Sequence, residues 1–124
     1  MEVILDTSFI LTCLKEKIDF LDACEFGNLS VPEQVILELK KLEVKGERRT
    51  RELANLALQI LDKNPGRIKI LKLEKKYVDS GIKKYVSENN RNIIVASMDA
   101  GLKKELRDKT PLLIIKSRKK IMLE

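Results

Sequence analysis

The sequence has no histidine and no tryptophan, and aromatic residues make up only 4% of it. Without an imidazole, the protein cannot use a histidine base or a Ser-His-Asp triad, so the hydrolases built on them are excluded. Cysteine is also scarce, because Cys13 and Cys24 are the only two. They lack the Cys and His spacings of zinc sites, and both fall in apolar segments, so we predict buried, reduced thiols.

No hydrophobic run comes near the roughly 20 residues that a membrane-spanning helix needs. The first residues carry no basic region ahead of their apolar stretch, which a secretory signal would have. We therefore expect a cytoplasmic protein with no membrane partner. At 124 residues, with 44% hydrophobic and 35% charged side chains, the composition is that of one folded domain over residues 1–124.

Basic residues outnumber acidic ones by 25 to 19, which gives a formal net charge of +6. This charge favours a polyanion, such as a nucleic acid, as a partner. A solvated surface rich in Lys and Glu, as in a thermophilic archaeal protein, accounts for it equally well. Charge alone leaves both interpretations open.

Short apolar runs alternate along the chain with longer helical patterns, which is typical of βαβ units. Strands are predicted at residues 2–6, 29–31, 67–71, 92–97 and 112–116. Helices are predicted at residues 7–15, 18–25, 32–42, 47–63, 77–89 and 100–107. Right-handed crossovers then build an α/β fold, a three-layer sandwich with a parallel central sheet of about five strands. The last residues, 117–124, are interpreted as a basic stretch with a short apolar end.

Two aspartates follow predicted buried strands. Asp6 closes the first strand, and Asp99 comes shortly after the apolar run of the strand at 92–97. Each alone is more often a helix N-cap than a catalyst. In parallel sheets, however, ligands bind outside the carboxyl ends of the strands. If these two strands are neighbours, about 4.8 Å apart, both carboxylates project into one crevice.

Glu38 falls within the apolar stripe of the helix at 32–42, beside Val35 and Leu42. This spacing predicts a carboxylate on the packed face, where an acid is rarely kept unless it is paired or binds a metal. The alternative is that the buried face is shifted, and that Glu38 pairs with Lys41 or Lys45 at its rim.

Asp79 stands in the first turn of the helix at 77–89, where a negative charge also suits the helix dipole. Taken alone, it is more often a surface partner of Lys83. Together with Asp6, Glu38 and Asp99, however, it gives four acids on four segments that can share one crevice. Such an oxygen-only set selects Mg²⁺ or Mn²⁺, and it is the ligand set with which metal ions support phosphoryl displacement.

At these residues the sequence resembles the PIN-domain ribonucleases over nearly its whole length. The resemblance rests on Asp6-Thr7-Ser8, on Val31 to Val35 leading to Glu38, on Asp79 with Ile82, and on Ile94 to Asp99 with Leu102. It implies a parallel sheet flanked by helices, an acidic site for Mg²⁺ or Mn²⁺, and hydrolysis of RNA. In the family's terms, the four acidic positions are matched by Asp6, Glu38, Asp79 and Asp99. Ser8 and Ser97 match the hydroxyl-bearing positions that orient the acids.

The sequence departs from the family's pattern at two places. Where members often have Thr-Asn-Asp, this chain has Ser97-Met98-Asp99, and an additional acid of many members is Lys103 here. The second departure weighs against a second metal. We therefore expect one ion held by Asp6, Asp79 and Asp99, with Glu38 bound directly or through water.

The basic run in residues 102–107 and the ending at 112–124 resemble the ribosome-biogenesis branch, which cleaves pre-ribosomal RNA, more than the VapC-type toxins. The resemblance thus implies RNA as substrate, with a ribosome-assembly factor or an antitoxin as a further partner. Because aromatics are few, we expect contacts to the RNA backbone rather than base stacking. The residues predicted to make them are Lys103, Lys104, Arg107, Arg118, Lys119 and Lys120.

Two further alternatives stay open. One is a catalytically silent PIN scaffold that binds RNA or protein, against which the presence of all four acids counts. The other concerns the wide apolar stripe of the helix at 47–63, which fills the core, forms a homodimer, or does both. This stripe consists of Leu53, Leu56, Ala57, Ile60 and Leu61.

Overall fold

The computed structural model of the protein describes residues 1–89, 92–116 and 119–124. The strands are β1 (Glu2–Leu5), β2 (Asn28–Pro32), β3 (Ile68–Leu71), β4 (Ile93–Ala96), β5 (Leu112–Lys116) and β6 (Lys120–Leu123). The α-helices are α1 (Thr7–Lys15), α2 (Glu33–Lys45), α3 (Arg48–Lys63), α4 (Val78–Asn89) and α5 (Ala100–Leu106), and a 3₁₀ helix covers Phe20–Phe26. Among the helices so described, none is long and apolar enough to cross a membrane.

The strands form one sheet in the order β3-β2-β1-β4-β5-β6. The strands from β3 to β5 in this order run parallel to one another, and the last strand, β6, runs antiparallel to β5. The α/β class with a mostly parallel sheet is therefore confirmed, and the sheet has six strands where about five were predicted. The sixth escaped prediction because β6 is an edge strand whose residues are mostly exposed, and because Lys119 before it adopts a left-handed φ of 55° without being Gly or Asn.

The middle of the sheet explains the apolar runs of the sequence. Val3, Ile4 and Leu5 of β1 are fully buried, and every residue of β4 is buried. Strands covered on both faces read as continuous apolar runs rather than as alternating ones. On the α3 stripe, Ala57 is buried, Ile60 and Leu61 are half-buried against the core, and Leu56 is 43% exposed. The stripe thus serves the core in part.

The predicted helix at 18–25 is a 3₁₀ helix, begun by the side chain of Asp19, which accepts a hydrogen bond from Leu21 N at 2.9 Å. Its three residues per turn align Phe20 with Ala23 toward the core and leave Cys24 exposed. The prediction that both thiols are buried is therefore wrong for Cys24. It is right for Cys13, whose pKa is raised by burial to about 12.

Candidate active site

The carboxyl edge of the sheet brings the predicted acids together. β1 and β4 are paired neighbours, with Leu5 opposite Ala96, so the segments that follow them leave the sheet side by side. A cleft of about 450 Å³ opens there. Its walls are formed by Asp6, Thr7, Ser8, Glu38, Tyr77, Val78, Asp79 and Asp99. All four acids that the sequence singles out therefore line one cleft.

Asp6 is the buried member of this group, with 5% of its surface exposed. Its Oδ2 accepts hydrogen bonds from Ser97 Oγ at 2.8 Å and from Ser8 Oγ at 3.1 Å. The side chain makes no helix-capping hydrogen bond, although Asp6 stands at the N-cap position of α1. Its carboxylate is thus positioned by the two serines rather than used as a cap.

The two serines are themselves held by the backbone of the following loop. Met98 N donates to Ser8 Oγ at 2.9 Å, and Asp99 N donates to Ser97 Oγ at 3.1 Å. Each hydroxyl donates its own proton to Asp6 Oδ2, because an ionised carboxylate can only accept. The Met98 thioether accepts a hydrogen bond from Ile115 N of β5 at 3.5 Å, and Met98 does not line the cleft. The departure from the family's Asn at this position therefore changes a contact with β5 and leaves the cleft wall unaltered.

Asp99 combines two of the roles considered for it. Its Oδ1 accepts a hydrogen bond from Leu102 N at 3.0 Å, which makes Asp99 the N-cap of α5. The residue is exposed and also lines the cleft. Capping fixes its carboxylate at the end of the helix, beside the loop that holds Ser97.

The predicted burial of Glu38 is wrong, because the structure exposes its side chain. Val35 and Leu39, four residues apart, form the fully buried row of α2, while Leu42 is only half-buried. The packed face is narrower than the stripe suggests, and Glu38 lies beside it on the cleft wall. In the described part of the chain, neither Lys41 nor Lys45 forms an ion pair with it.

Asp79 is exposed in the first turn of α4. Lys83, the surface partner considered for it, instead pairs with Glu105 of α5 through Nζ and Oε2 at 2.8 Å. This ion pair joins α4 to α5, and it leaves the Asp79 carboxylate facing the cleft with the other acids.

The acids influence one another electrostatically. Burial raises the pKa of the Asp6 carboxyl, the hydrogen bonds from Ser97 and Ser8 lower it in part, and the charge of Glu38 raises it further. Burial also raises the pKa of Asp79, and the charges of Asp6 and Asp99 add to that effect. A bound cation would reverse this repulsion.

The donor set suits a hard cation, since carboxylate oxygens are what Mg²⁺ and Mn²⁺ prefer. As the side chains stand, no three carboxylates or thiolates in the described residues are grouped closely enough to hold one ion. Glu38 and Asp79 are exposed and can rotate toward Asp6, whereas Asp99 is held by its N-cap hydrogen bond. Thr7 Oγ1, also on the cleft wall, is buried and has no hydrogen-bond partner in the described structure. The cleft thus fits the ion in donor chemistry, with its side chains spread apart.

The basic residues predicted to contact RNA, as far as the structure describes them, lie outside this wall. Lys103 and Arg107 both pair with Glu124, at 3.7 Å and 3.3 Å. These ion pairs were not predicted, because the strand that leads to Glu124, β6, was not predicted. Lys104, Lys119 and Lys120 are exposed, and Arg118 lies outside the described residues.

Sequence reasoning missed Tyr77, which is 69% exposed and forms part of the cleft wall. Tyr77 is the last residue of the loop at 72–77, which also contains Lys72, Lys75 and Lys76. The available signal was a group of lysines ending in an aromatic residue, two positions before a candidate acid.

Comparison with known proteins agrees with this geometry. The family described as PIN like domain matches residues 3–120. Ribonuclease VapC4 of Methanocaldococcus jannaschii is 29% identical over 122 residues, covering 95% of this chain and 92% of that protein. The solved structure of the PIN domain endonuclease Utp24 superposes with a TM-score of 0.78 at 30% identity, covering 99% of this chain and 90% of the other.

A more distant structure, VapBC-1 from nontypeable Haemophilus influenzae, has a TM-score of 0.51 at 12% identity and covers 89% of this chain and 96% of its own. At that identity it shows likeness of fold alone. The family match spans nearly the entire chain, and the resemblance that the acidic motifs predict is confirmed. The chain belongs to the PIN-domain family.

Proposed function

We propose that the protein is a metal-dependent endoribonuclease that hydrolyses phosphodiester bonds in RNA. The observation that carries this proposal is the cleft itself, which is lined by carboxylates from four separate segments at the carboxyl edge of the sheet. The names of two similar proteins, a ribonuclease and an endonuclease, support the same reaction class.

In this proposal Asp6, Asp79 and Asp99 hold one Mg²⁺ or Mn²⁺, and Glu38 binds it directly or through water. When bound, the ion would lower the pKa of a water molecule and offset the charge that develops on the phosphate. Ser8 and Ser97 keep the Asp6 carboxylate in a fixed orientation. The N-terminus of α5 does the same for Asp99.

RNA reaches the cleft across a basic surface. Lys104, Lys119 and Lys120 stay as proposed backbone contacts, because they are exposed and make no ion pair in the described structure. Lys103 and Arg107 contribute less, since Glu124 offsets their charge.

For the biological role we favour RNA processing in ribosome biogenesis, with a ribosome-assembly factor as partner, because of the basic run in α5 and the basic ending. A VapC-type toxin with an antitoxin partner is the second candidate, supported by the similarity to Ribonuclease VapC4. Expression of the chain alone in a bacterial host separates them. A toxin arrests growth and its Asp6→Asn variant does not, whereas a processing enzyme leaves growth unchanged in both cases.

A homodimer is also proposed. Leu56 on α3 and Val44 on α2 are 43% and 72% exposed, which leaves apolar surface for a second copy. Sedimentation of the wild type and of a Leu56→Glu variant tests this, since only the wild type is expected to sediment as a dimer.

A circular single-stranded RNA tests the proposed reaction, because only an endonuclease can linearise it. We expect linear product with Mg²⁺ or Mn²⁺, none with excess chelator, and none from Asp99→Asn. Asp62→Asn, which changes an exposed acid of α3, is the matched control and should cleave like the wild type. Linear product in excess chelator would overturn the proposal.

A further inference from the structure

Tyr77 differs from every other aromatic side chain of the protein. Phe9 and Phe20 are fully buried, and Phe26 is half-buried against the core. Tyr85 is half-buried, with its hydroxyl donating to Glu2 Oε1 at 2.8 Å. Tyr77 is 69% exposed. A single exposed apolar side chain is common in proteins, so its position matters more than its exposure.

That position is the wall of the carboxylate cleft, beside Asp79. The backbone on both sides of Tyr77 is fixed. Its carbonyl oxygen accepts a hydrogen bond from Gly81 N at 2.9 Å, at the start of α4. On the other side, the Gln34 amide donates to the carbonyl oxygens of Leu73 at 3.2 Å and Lys75 at 2.7 Å. The ring is therefore presented at the cleft from an anchored loop.

The same loop is positively charged. Lys72, Lys75 and Lys76 are exposed, and none forms an ion pair in the described structure. The one acid of the loop, Glu74, pairs with Lys84 of α4. The Lys76 ammonium lies 5.7 Å from the centre of the Tyr77 ring, within cation–π range.

An exposed aromatic ring among unpaired lysines is the combination with which proteins bind single-stranded nucleic acids, because bases stack on the ring while cations contact phosphates. We propose that Tyr77 stacks on an unpaired nucleobase next to the phosphate held in the cleft, and that Lys72 and Lys76 contact the phosphates on that side. This inference rests on the proposed function, since it takes RNA as the occupant of the cleft. It adds one stacking contact to the expected backbone recognition, and it makes unpaired RNA the preferred substrate.

The protein carries its own probe for this contact. With two tyrosines and no tryptophan, a Tyr85→Phe variant has Tyr77 as its only strong fluorophore. In this variant, with chelator present, oligouridylate should quench the tyrosine emission. An abasic ribose-phosphate chain of equal length should bind without quenching. Equal quenching by both chains would overturn the inference.

Affinity gives an independent measure. In chelator, Tyr77→Ala should bind oligouridylate about 5- to 100-fold more weakly, the range typical of one lost stacking contact, while Tyr77→Phe keeps wild-type affinity. Wild-type affinity in Tyr77→Ala, or loss of affinity in Tyr77→Phe, would contradict the stacking role. Neither binding experiment depends on cleavage. A failure of the circular-RNA assay would therefore overturn the nuclease proposal without deciding whether Tyr77 stacks on a base.

Discussion

At the scale of single residues, the cleft depends on one buried carboxylate and the two hydroxyls that hold it. Ser8 and Ser97 donate to the same oxygen of Asp6, and each is itself held by a backbone hydrogen bond from the loop before α5. These contacts lower the pKa of the Asp6 carboxyl, which burial raises. The serines thus favour the charged form of Asp6 and also fix its orientation.

Replacing Ser97 should therefore alter the pH dependence of cleavage. In Ser97→Ala the Asp6 pKa rises further, so the acidic limb of the rate profile moves to higher pH. Activity near neutral pH should fall about 10- to 100-fold, as is typical when a group that orients a metal ligand is removed. Rate measurements between pH 5 and 8 check this. Ser97→Thr should restore the profile, and Ser87→Ala on α4 should leave it unchanged, whereas an unshifted profile in Ser97→Ala would contradict the role.

The raised pKa of Asp6 also predicts how stability varies with pH. The folded state binds the Asp6 proton more tightly than the unfolded chain, so the free energy of unfolding falls as pH rises through the folded-state pKa. Because Asn does not titrate, the Asp6→Asn variant lacks this fall in the free energy of unfolding. We therefore consider the melting temperature of Asp6→Asn minus that of the wild type, both measured in chelator. This difference should be larger at pH 7 than near pH 3. Thermal melts at both pH values measure the difference, and a difference that does not change with pH would contradict the prediction.

At the scale of elements, β6 changes the charge that α5 presents at its surface. It brings Glu124 to α5, where the carboxylate pairs with Lys103 and Arg107. Two of the predicted RNA contacts are therefore electrostatically offset by an element that the sequence did not predict. Missing one edge strand led to an overestimate of the free positive charge on α5.

Glu124→Gln should release these two cations. We expect tighter RNA binding at low salt, together with a loss of less than about 1 kcal/mol in unfolding free energy, because exposed ion pairs contribute little. RNA titrations and urea denaturation measure the two effects. Glu25→Gln, which makes the same charge change on the 3₁₀ helix, should leave binding nearly unchanged. Equal effects of both variants would show that only net charge matters.

The elements differ in how far their sequences determine them. The buried strands β1 and β4 were predictable because a strand covered on both faces needs an uninterrupted apolar run. From their ends, the positions of Asp6 and Asp99 followed. Glu38 was placed on the correct helix and the wrong face, because a periodic stripe does not show how much of its width the neighbouring elements cover. That width depends on tertiary packing.

The positions of Tyr77 and Glu124 were missed for a related reason. Tyr77 belongs to a loop whose path depends on the Gln34 amide of α2, a contact across 39 and 41 positions of the chain. Glu124 depends on strand pairing at the edge of the sheet. Local patterns do not encode such distant contacts.

At the scale of the whole molecule, the carboxylates of the cleft repel one another, and a bound cation would relieve that repulsion. Binding to the folded state alone raises stability by about 2.7 kcal/mol at a concentration 100-fold above Kd. For a chain of this size, that corresponds to a rise of roughly 10 °C in Tm. Thermal melts with and without Mn²⁺ measure it. The rise should vanish in the double variant Asp6→Asn, Asp99→Asn, and an equal rise in that variant would place the ion elsewhere.

The central claim is that this cleft hydrolyses RNA with a divalent cation held by its acids. The most direct measurement is the initial rate of cleavage of a single-stranded RNA across a titration of Mn²⁺, in wild type, Asp6→Asn and Asp62→Asn. We expect one saturating curve shared by the wild type and Asp62→Asn, and a rate at background in folded Asp6→Asn at every Mn²⁺ concentration. Cleavage by Asp6→Asn at the wild-type rate, or a wild-type rate that does not depend on Mn²⁺, would contradict it.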